Sequence, residues 1–306
     1  MSLEIVFLGT SASVPTTKRN PSSIAVLRKG ELFLFDCGEG TQRQMMYAGV
    51  GFSRETSIFI THLHGDHSLG LPGLIQTMDM VGRTKPLYIF GPPGIRDFTE
   101  FTVRSIGAKP SYGLQIKEVC TGGQIFESKE YFIKATLAEH GSLALAYAFE
   151  EKLRPGKFYP EKARALGVPE GFLWGRLQRG HEIRLKNGRI IKPKDVLGPP
   201  RKGLKVVYTG DTRPSEAIVE LSKDADLLIH DGTFDGSLAE KAKEEGHSTV
   251  LEAAEVALKA GVKRLVLTHI SARYEDTNPL LEEARKIFPN TVIAEDFLRL
   301  ELKYEN

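Results

Sequence analysis

The 306-residue sequence predicts an α/β fold, a four-layer αββα sandwich with one inserted basic arm. Three observations support this prediction. Short apolar runs alternate with helical patterns in both halves of the chain, as in folds whose sheets are covered by helices. The predicted strands end at polar residues, and a proline-, glycine- and lysine-rich segment separates the halves. We therefore expect one domain over residues 1–306, with the arm at residues 151–203.

The first half of the chain is dominated by predicted strands. Runs rich in apolar, β-branched and aromatic residues predict strands at Leu3–Leu8, Ser23–Arg28, Leu32–Asp36 and Ser57–Thr61. Lys29-Gly30 predicts the turn of a hairpin between the second and third of these. The near-continuous apolar character of Ser57–Thr61 is typical of a strand covered on both faces. A helical apolar pattern follows at Leu69–Val81.

The rest of the chain, outside the arm, repeats this alternation. Strands are predicted at Tyr131–Thr136, Ala144–Glu150, Lys205–Thr209, Asp226–His230 and Arg264–Thr268. Helices are predicted at Ser215–Leu221, Ser237–Glu245, Val250–Ala260 and Leu280–Phe288. Two such α/β halves indicate the four-layer arrangement, while the strand order is left open by these patterns.

The arm interrupts this pattern with many prolines and glycines. It contains one helical candidate, Pro160–Leu166, and a hairpin signal at Lys186-Asn187-Gly188-Arg189. A long insertion in a compact domain is usually functional or disordered. From Glu151 to Lys205 there are 15 Lys and Arg against 5 Asp and Glu, which leaves the rest of the chain at −8. This asymmetry suggests a polyanionic partner, with a solvated surface loop as the alternative.

Composition restricts the class of protein. The hydrophobic fraction of 41% and the charged fraction of 26% are those of a soluble globular protein. The two cysteines, Cys37 and Cys120, form no close pair, which argues against a disulfide framework and a cysteine zinc site and favours a reducing compartment. Glu4 stands where a signal peptide needs positive charge, and no apolar stretch approaches the roughly 20 residues of a membrane span. We expect a cytoplasmic protein without a membrane partner.

The segment His62-Leu63-His64-Gly65-Asp66-His67 carries three imidazoles and one carboxylate directly after a predicted strand. If that strand continues to His64, the side chains of His62 and His64 point to the same side. A turn at Gly65 would then bring Asp66 and His67 to face a second position. Zinc prefers imidazole and carboxylate ligands, and a catalytic site keeps one position open for water. A single histidine is usually structural, but this density predicts a metal site.

Four further candidates stand at strand ends or in loops, namely His140, Asp211, His247 and His269. The ends of strands are where α/β folds place their functional sites. Each residue alone can be a surface or capping residue. Together they predict one constellation with the histidine-rich segment.

With these residues identified, the sequence resembles the ribonuclease Z family of the metallo-β-lactamase superfamily. The resemblance extends from Phe7 to Phe297. Beyond the metal-binding candidates, it is carried by the segments Val14–Ser23, Leu34–Gln42, His67–Leu74, Thr209–Arg213, Gly246–Thr249 and Leu267–Tyr274. It implies a metallo-β-lactamase fold and a zinc-dependent endoribonuclease. Such an enzyme removes the 3′ trailer of precursor tRNA near the discriminator nucleotide and leaves a 3′-hydroxyl.

The resemblance implies two Zn²⁺ ions per subunit. One ion would be bound by His62, His64 and His140. The other would be bound by Asp66, His67 and His269. Asp211 would bridge both ions. The same ligand types accept manganese or iron, so the native metal stays open.

The resemblance also implies a catalytic set. Asp66 would orient the attacking water or accept its proton. His247, held by Asp231 or His230, would be the general acid for the departing 3′-oxygen, or would only bind a phosphate oxygen. The family usually has His-Glu-Ala-Thr where this chain has His230-Asp231-Gly232-Thr233. The acid is one methylene shorter here, so its hydrogen bond to His247 would require a small backbone shift.

The partners implied are precursor tRNA and a second subunit. In the family, an arm at this place in the chain, with a segment like Gly198-Pro199, clamps the tRNA body. RNA duplexes are recognised largely by shape and backbone, which suits an arm of Lys and Arg. The family is generally homodimeric, with one subunit's arm holding the tRNA that the other cuts. Two alternatives stay open: a superfamily hydrolase of small phosphodiesters or esters, and a non-catalytic RNA-binding protein.

Overall fold

The computed structural model describes residues 2–304, in which two seven-stranded sheets form the body of the fold. The first sheet consists of β1 (Ser2–Gly9), β2 (Ser23–Arg28), β3 (Glu31–Phe35), β4 (Glu55–Phe59), β5 (Leu87–Gly91), β6 (Leu114–Glu118) and β16 (Arg299–Lys303). The second sheet consists of β7 (Gly123–Glu127), β8 (Tyr131–His140), β9 (Ser142–Glu151), β12 (Lys205–Tyr208), β13 (Leu227–Asp231), β14 (Leu265–Thr268) and β15 (Thr291–Ile293).

Both sheets are mixed. The first has the order β16-β1-β2-β3-β4-β5-β6, antiparallel from β16 to β3 and parallel from β3 to β6. The second has the order β15-β14-β13-β12-β9-β8-β7, parallel from β15 to β12, and β12 is antiparallel to β9. The parallel strands β12, β13 and β14 therefore end at one edge, where Asp211, Asp231 and His269 follow or close them.

Helices cover the outer face of each sheet. Beside the first sheet lie α1 (Thr41–Tyr47), α2 (Gly65–Ser68), α3 (Gly70–Met80) and α4 (Ile95–Ser105). Beside the second lie α8 (Glu216–Ser222), a 3₁₀ turn (Gly236–Leu238), α9 (Ala239–Glu245), α10 (Val250–Ala260) and α11 (Asn278–Ile287). One apolar core joins Leu34 and Ile58 to Leu74, and another joins Val207 and Leu265 to Ala257.

Between the two sheets lies an aromatic layer. The ring centroids of Phe33 and Phe149 are 4.9 Å apart, and those of Phe59 and Tyr147 are 5.5 Å apart. Each pair joins one strand of the first sheet to one strand of the second. The order of layers is therefore helix, sheet, sheet, helix, and the predicted four-layer sandwich is confirmed.

The predicted elements differ from the structure mainly at their ends, and several elements were not predicted, among them the interior strand β5 and the helices α1 and α4. β4 ends at Phe59 and not at Thr61. The Ile60 amide makes the last bond to β5, at the Phe90 carbonyl. Thr61 then bonds outside the first sheet's ladder, with its amide to the Asp36 carboxylate and its carbonyl to the Leu145 amide of the second sheet. The edge strands β6 and β7 were not predicted. Each buries a single residue, Ile116 or Ile125, among mostly exposed neighbours, so the apolar signal of each strand is weak.

The arm forms a second compact unit, made of Ser128–Tyr131 and Glu151–Gly203. Its elements are α5 (Pro160–Ala165), α6 (Phe172–Gln178), β10 (Ile183–Arg184), β11 (Ile190–Ile191) and α7 (Pro193–Val196). They enclose their own apolar core of Ala163, Val168, Leu177, Ile183, Ile191 and Val196. Glu150 of β9 pairs with Lys205 of β12, so the arm is inserted where a hairpin loop would join two antiparallel strands.

Both cysteines carry free thiols, Cys37 buried and Cys120 exposed. Burial raises the pKa of the Cys37 thiol to about 12, so this thiol is unreactive at neutral pH. Among residues 2–304, no helix has the length and apolar character that crossing a bilayer requires.

Asp36, directly after β3, connects the two sheets. It is fully buried and has a left-handed backbone, with φ of 57°. Its carboxylate accepts hydrogen bonds from the Thr61 amide (2.7 Å), the Thr61 hydroxyl (2.9 Å) and the Tyr208 hydroxyl (2.8 Å). A buried carboxylate is costly unless it is hydrogen-bonded, so these donors are needed for the fold.

We predict that Tyr208→Phe lowers the free energy of unfolding by about 1.5–3 kcal/mol, because it removes a hydrogen bond to a charged acceptor. The matched control is Tyr147→Phe, also fully buried, whose hydroxyl donates to the uncharged Ile60 carbonyl at 2.7 Å. This control should cost only about 0.5–1.5 kcal/mol. Equilibrium denaturation in guanidinium measures both, and equal losses would contradict the special role of Asp36.

Candidate active site

The histidine-rich segment leaves the first sheet before His62. Because β4 stops at Phe59, the strand does not continue to His64, and strand alternation does not explain where the histidines point. The segment runs as a loop into α2, and the Cys37 amide bonds the His67 carbonyl at 2.8 Å. His62 and His64 nevertheless belong to one cluster of candidate ligands, while Asp66 and His67, both in α2, belong to a second.

Three histidines form the first cluster: His62, His64 and His140, the last residue of β8. Their ring centroids are 4.5–5.1 Å apart. One nitrogen of each ring lies within 4.8 Å of the others. A cluster of this size matches three ligands around one metal ion.

Asp66, His67, Asp211 and His269 form the second cluster, again with ligand atoms within 4.8 Å of one another. Asp66 Oδ2 lies 3.3 Å from His269 Nε2 and 3.4 Å from His67 Nε2. The same oxygen accepts a hydrogen bond from the Ser13 amide at 2.9 Å, which fixes the carboxylate in place.

Asp211 lies between the two clusters. Its Oδ2 is 3.2 Å from His67 Nε2 and 3.7 Å from the Nε2 atoms of His62 and His140. Its Oδ1 is 3.3 Å from His269 Nε2. Gly210 allows this approach, because a Cβ there would lie 2.7 Å from Thr61 Cγ2. The seven predicted ligands are thus brought together, with Asp211 facing both groups.

Residues that were not predicted hold the candidate ligands in orientation. The far ring nitrogens of four histidines lie 2.7–3.0 Å from these oxygens: Asp36 Oδ2 for His67, Thr61 Oγ1 for His62, the Gly246 carbonyl for His140, and Thr233 Oγ1 for His269. Such partners fix the tautomer and direct the other nitrogen to the centre. Of these, Asp36 offered a signal in the sequence, an acid ending an apolar strand.

Several inward-facing atoms of the described residues make no hydrogen bond although they are buried. They include His62 Nε2, His67 Nε2 and Asp211 Oδ1. A buried polar atom without a partner is costly, and most native proteins avoid it. Divalent cations would satisfy these atoms, and the donor set of imidazole and carboxylate suits zinc, manganese or iron. The residues therefore fit a pair of metal ions.

Electrostatics favour the metal-binding protonation state at His62, His140 and Asp211. Burial lowers the pKa of His62 well below its usual value and also lowers the pKa of His140, so both are neutral. Burial alone would raise the pKa of Asp211, but His269 and His67 hold it well below its usual value. Neutral imidazoles and an ionised carboxylate are the forms that bind metal. At His67, burial would lower the pKa, but Asp211 and Asp36 raise it well above its usual value, so this ring has to lose a proton before it binds a cation.

His247 lies beside both clusters, in the turn between α9 and α10. Its Nδ1 is 2.9 Å from Asp231 Oδ2, and its ring stacks on His269 with centroids 5.1 Å apart. Burial would lower the pKa of His247, but the charge and hydrogen bond of Asp231 raise it to about 9. The shorter acid of this chain therefore reaches His247 and favours its protonated form.

His230 does not join this group, contrary to its prediction as a catalytic residue. Its Nδ1 is 2.9 Å from the Asp231 carbonyl, and its ring is fully buried. Side chains alternate along β13, so when Asp231 faces the site His230 faces the opposite side of the sheet. Asp231 is itself fixed by Thr233, whose amide and hydroxyl donate to Oδ1 at 2.9 and 2.7 Å.

Family models match two parts of the chain. A model described as "Anti-Pycsar protein Apyc1" matches residues 3–100, and one described as "Beta-lactamase superfamily domain" matches residues 186–270. Each covers less than half of the 306 residues, so they indicate the superfamily only.

Full-length relatives are more specific. Ribonuclease Z of Methanosarcina acetivorans is 49% identical, covering 99% of both chains. Ribonuclease Z of Methanothermobacter thermautotrophicus is 51% identical over 98% of this chain and 97% of its own. The match therefore includes the body and the arm together.

Solved structures agree in fold. Human tRNase Z, short form, superposes with a TM-score of 0.72 at 28% identity, covering 98% of this chain and 99% of that chain. The metallo-beta-lactamase fold protein YhfI from Bacillus subtilis has a TM-score of 0.70 at 18% identity, covering 98% and 99%, and supports the fold alone. Given the full-length identity to these relatives, the chain belongs to the ribonuclease Z family of metallo-β-lactamase-fold endoribonucleases.

Proposed function

We propose that the protein is a two-metal endoribonuclease that removes the 3′ trailer of precursor tRNA. It hydrolyses one phosphodiester near the discriminator nucleotide and leaves a 3′-hydroxyl on the tRNA. The observation that carries this proposal is the pair of ligand clusters that adjoin at Asp211, in a member of the ribonuclease Z family. Zinc is the metal proposed, because the donors are imidazole and carboxylate, with manganese or iron as substitutes.

The metal-binding roles follow the two clusters. His62, His64 and His140 would hold one ion. Asp66, His67 and His269 would hold the other, with Asp211 in contact with both. When bound, such ions supply an activated water at neutral pH and stabilise the charge that develops on the phosphate.

Asp66 has a second role in the proposal. Its Oδ2 is engaged by the Ser13 amide and approached by His67 and His269. Because the carboxylate is fixed, it orients the attacking water toward phosphorus and accepts its proton. Burial would raise the pKa of Asp66, but His269 and His67 hold it well below its usual value, so the group is an ionised acceptor.

His247 is proposed as the general acid. Asp231 engages Nδ1, so Nε2 is the nitrogen that gives its proton to the 3′-oxygen as the phosphorus–oxygen bond breaks. The turn that carries His247 is fixed from behind, because Arg213 Nη1 donates to the His247 carbonyl at 2.6 Å and Arg213 pairs with Glu252. Binding of a phosphate oxygen would use the same protonated ring, so the two roles are separated by the size of the rate loss in His247→Ala.

The arm is proposed to bind the tRNA body. Its surface carries exposed cations, among them Arg176, Arg184, Lys186 and Arg189. These cations would neutralise phosphates and position the acceptor end at the metal centre. The ordered core of the arm keeps them in a fixed arrangement, which suits recognition of RNA by shape.

The proposal also includes a homodimer in the cytoplasm. The dimer, with one subunit's arm holding the tRNA cut by the other, rests on the family resemblance. The reducing compartment is supported by the two free thiols.

The function is tested by incubating purified protein with a 3′-extended precursor tRNA and measuring bound metal in the same sample. We expect a cut near the base of the acceptor stem that leaves a 3′-hydroxyl. Asp211→Ala should lose both the metal and the cleavage, because Asp211 contacts both clusters. His181→Ala, at an exposed histidine of the arm, should keep its metal content. Bound metal without RNA cleavage would instead favour a small phosphodiester or ester substrate.

We predict that His247→Ala lowers the single-turnover cleavage rate by about 10²- to 10⁴-fold, the usual contribution of a general acid. The bound metal, measured by plasma mass spectrometry, should stay at the wild-type level, because His247 is not among the seven proposed ligands. Asp231→Asn should also lower the rate, because it removes the charge that raises the pKa of His247. A wild-type rate in His247→Ala would remove this residue from the mechanism.

The arm can be removed at a structurally defined point. Arg154 and Arg201 face each other as an antiparallel pair, with reciprocal amide–carbonyl bonds of 2.8 and 2.9 Å. Replacing residues 155–200 by Asn-Gly therefore closes a two-residue turn. We expect this variant to lose precursor-tRNA cleavage and to keep hydrolysis of bis(p-nitrophenyl) phosphate. Loss of both activities in a protein that still unfolds cooperatively would show that the arm is needed for the chemistry.

A further inference from the structure

A small cavity outside the metal centre is bordered by two aromatic rings and several cations. Its volume is about 310 Å³. The rings are those of Tyr47, the last residue of α1, and Phe297, which lies just before β16. Arg43 and the loop of residues 16–20 complete the wall. We call this cavity the aromatic pocket.

Both rings are exposed, Tyr47 by 66% and Phe297 by 41%. Their centroids are 6.1 Å apart at 70°, an edge-to-face pair. The Arg43 guanidinium lies 5.3 Å from the Tyr47 ring centroid, and its Nη2 donates to the Tyr47 hydroxyl at 3.1 Å. The rings are therefore held in a fixed arrangement at the surface, although they contribute little to the core.

Phe297 is held there at a conformational cost. Its φ of 68° is in the left-handed region, which is unfavourable for a bulky side chain. The backbone is fixed by the bond of the Phe297 amide to the Phe7 carbonyl (2.7 Å) and of the Leu298 amide to the Glu295 carbonyl (3.0 Å). Residues in strained conformations cluster at functional sites, and here the strain presents a ring to solvent and not to the core.

The pocket is close to the metal centre along the chain. Ser13, whose amide bonds Asp66, precedes Thr16 in the pocket wall by three residues. A fully extended chain covers at most about 3.3–3.6 Å per residue, so the two Cα atoms are separated by no more than about 11 Å. One bound polynucleotide can therefore reach both places.

The charge at the pocket suits a polyanion. Lys18 and Arg43 are exposed at its rim. Its carboxylate, Asp296, is engaged within the protein, because it accepts hydrogen bonds from the Thr10 hydroxyl, the Asn20 amide and Gln44 Nε2 at 2.8–2.9 Å.

We propose that the aromatic pocket binds one unpaired nucleotide of the RNA substrate near the scissile bond. The base stacks on Tyr47 or Phe297, and the adjoining phosphate faces Lys18 and Arg43. Aromatic rings beside arginine are the usual platform for single-stranded bases, whereas a base inside a duplex has its faces covered by its stacked neighbours. The inference rests on the proposed function, because it assumes that RNA occupies the metal centre.

The test combines protein variants with substrates that lack one base. Single-turnover cleavage is measured on a series of 3′-extended precursor tRNAs, each with one abasic nucleotide in the unpaired 3′ region. At one position, loss of the base should raise the half-saturating enzyme concentration of the wild type by at least about fivefold, the lower limit for one stacked base. Tyr47→Ala should cause a similar rise on the intact substrate. Tyr47→Ala combined with the abasic substrate should raise the half-saturating enzyme concentration no more than either change alone, because both remove the same contact.

Three further variants distinguish stacking from a structural effect. Tyr47→Phe keeps the ring and should keep the dependence on that base. Phe297→Gly removes a ring while relieving the left-handed backbone, so it should weaken RNA binding without lowering the thermal midpoint. Phe101→Ala, at an exposed aromatic residue of α4, is the matched control, and its effect should add to that of the abasic nucleotide.

The inference would be overturned if, for both Tyr47→Ala and Phe297→Gly, the rise in half-saturating enzyme concentration added to that of the abasic nucleotide at every position tested. This result would leave the proposed function intact. A wild-type protein that cleaves no precursor tRNA would overturn the proposed function, and the inference with it.

Discussion

The packing of the two sheets and the orientation of the histidine-rich segment both depend on one buried carboxylate, that of Asp36. It lies between the sheets, where its charge must be matched by donors, and it is engaged by Thr61, Tyr208 and His67. These donors belong to the end of the first sheet, to the second sheet and to the histidine-rich segment. A single electrostatic requirement therefore sets the spacing of the sheets and the orientation of one candidate metal ligand. Fold and site cannot be varied independently around this residue.

The second constraint is that the candidate ligands come from distant parts of the chain. His62 follows a strand of the first sheet, while Asp211 and His269 follow strands of the second. The parallel strands β12, β13 and β14 end at the same edge, which brings the acids and the last histidine together. His269 and Ser13 have φ of 57°, so the backbone is strained where it meets the site.

The sequence was most informative where residues that act together are also neighbours in the chain. The segment His62–His67 predicts a metal site because it holds three histidines and one aspartate in six residues. The alternation of strands and helices predicts the layers. Asp36 and Thr233 were not identified, because their roles come from contacts with residues far along the chain. The choice between His230 and Asp231 depends on which face of β13 meets the site, and this follows from the packing of the sheet. Edge strands such as β6 bury only one residue, so their apolar signal in the sequence is weak.

The arm joins the body between Glu150 and Lys205, which are direct neighbours in the second sheet. Both of its connections to the body therefore lie side by side, and the arm has an apolar core of its own. An element attached in this way can be lengthened, exchanged or lost without rebuilding its host, since insertions are best tolerated where chain ends meet. In evolutionary terms, the body and the arm are two compact units that can change at different rates, so the arm can vary in length and surface while the ligand clusters of the body are retained.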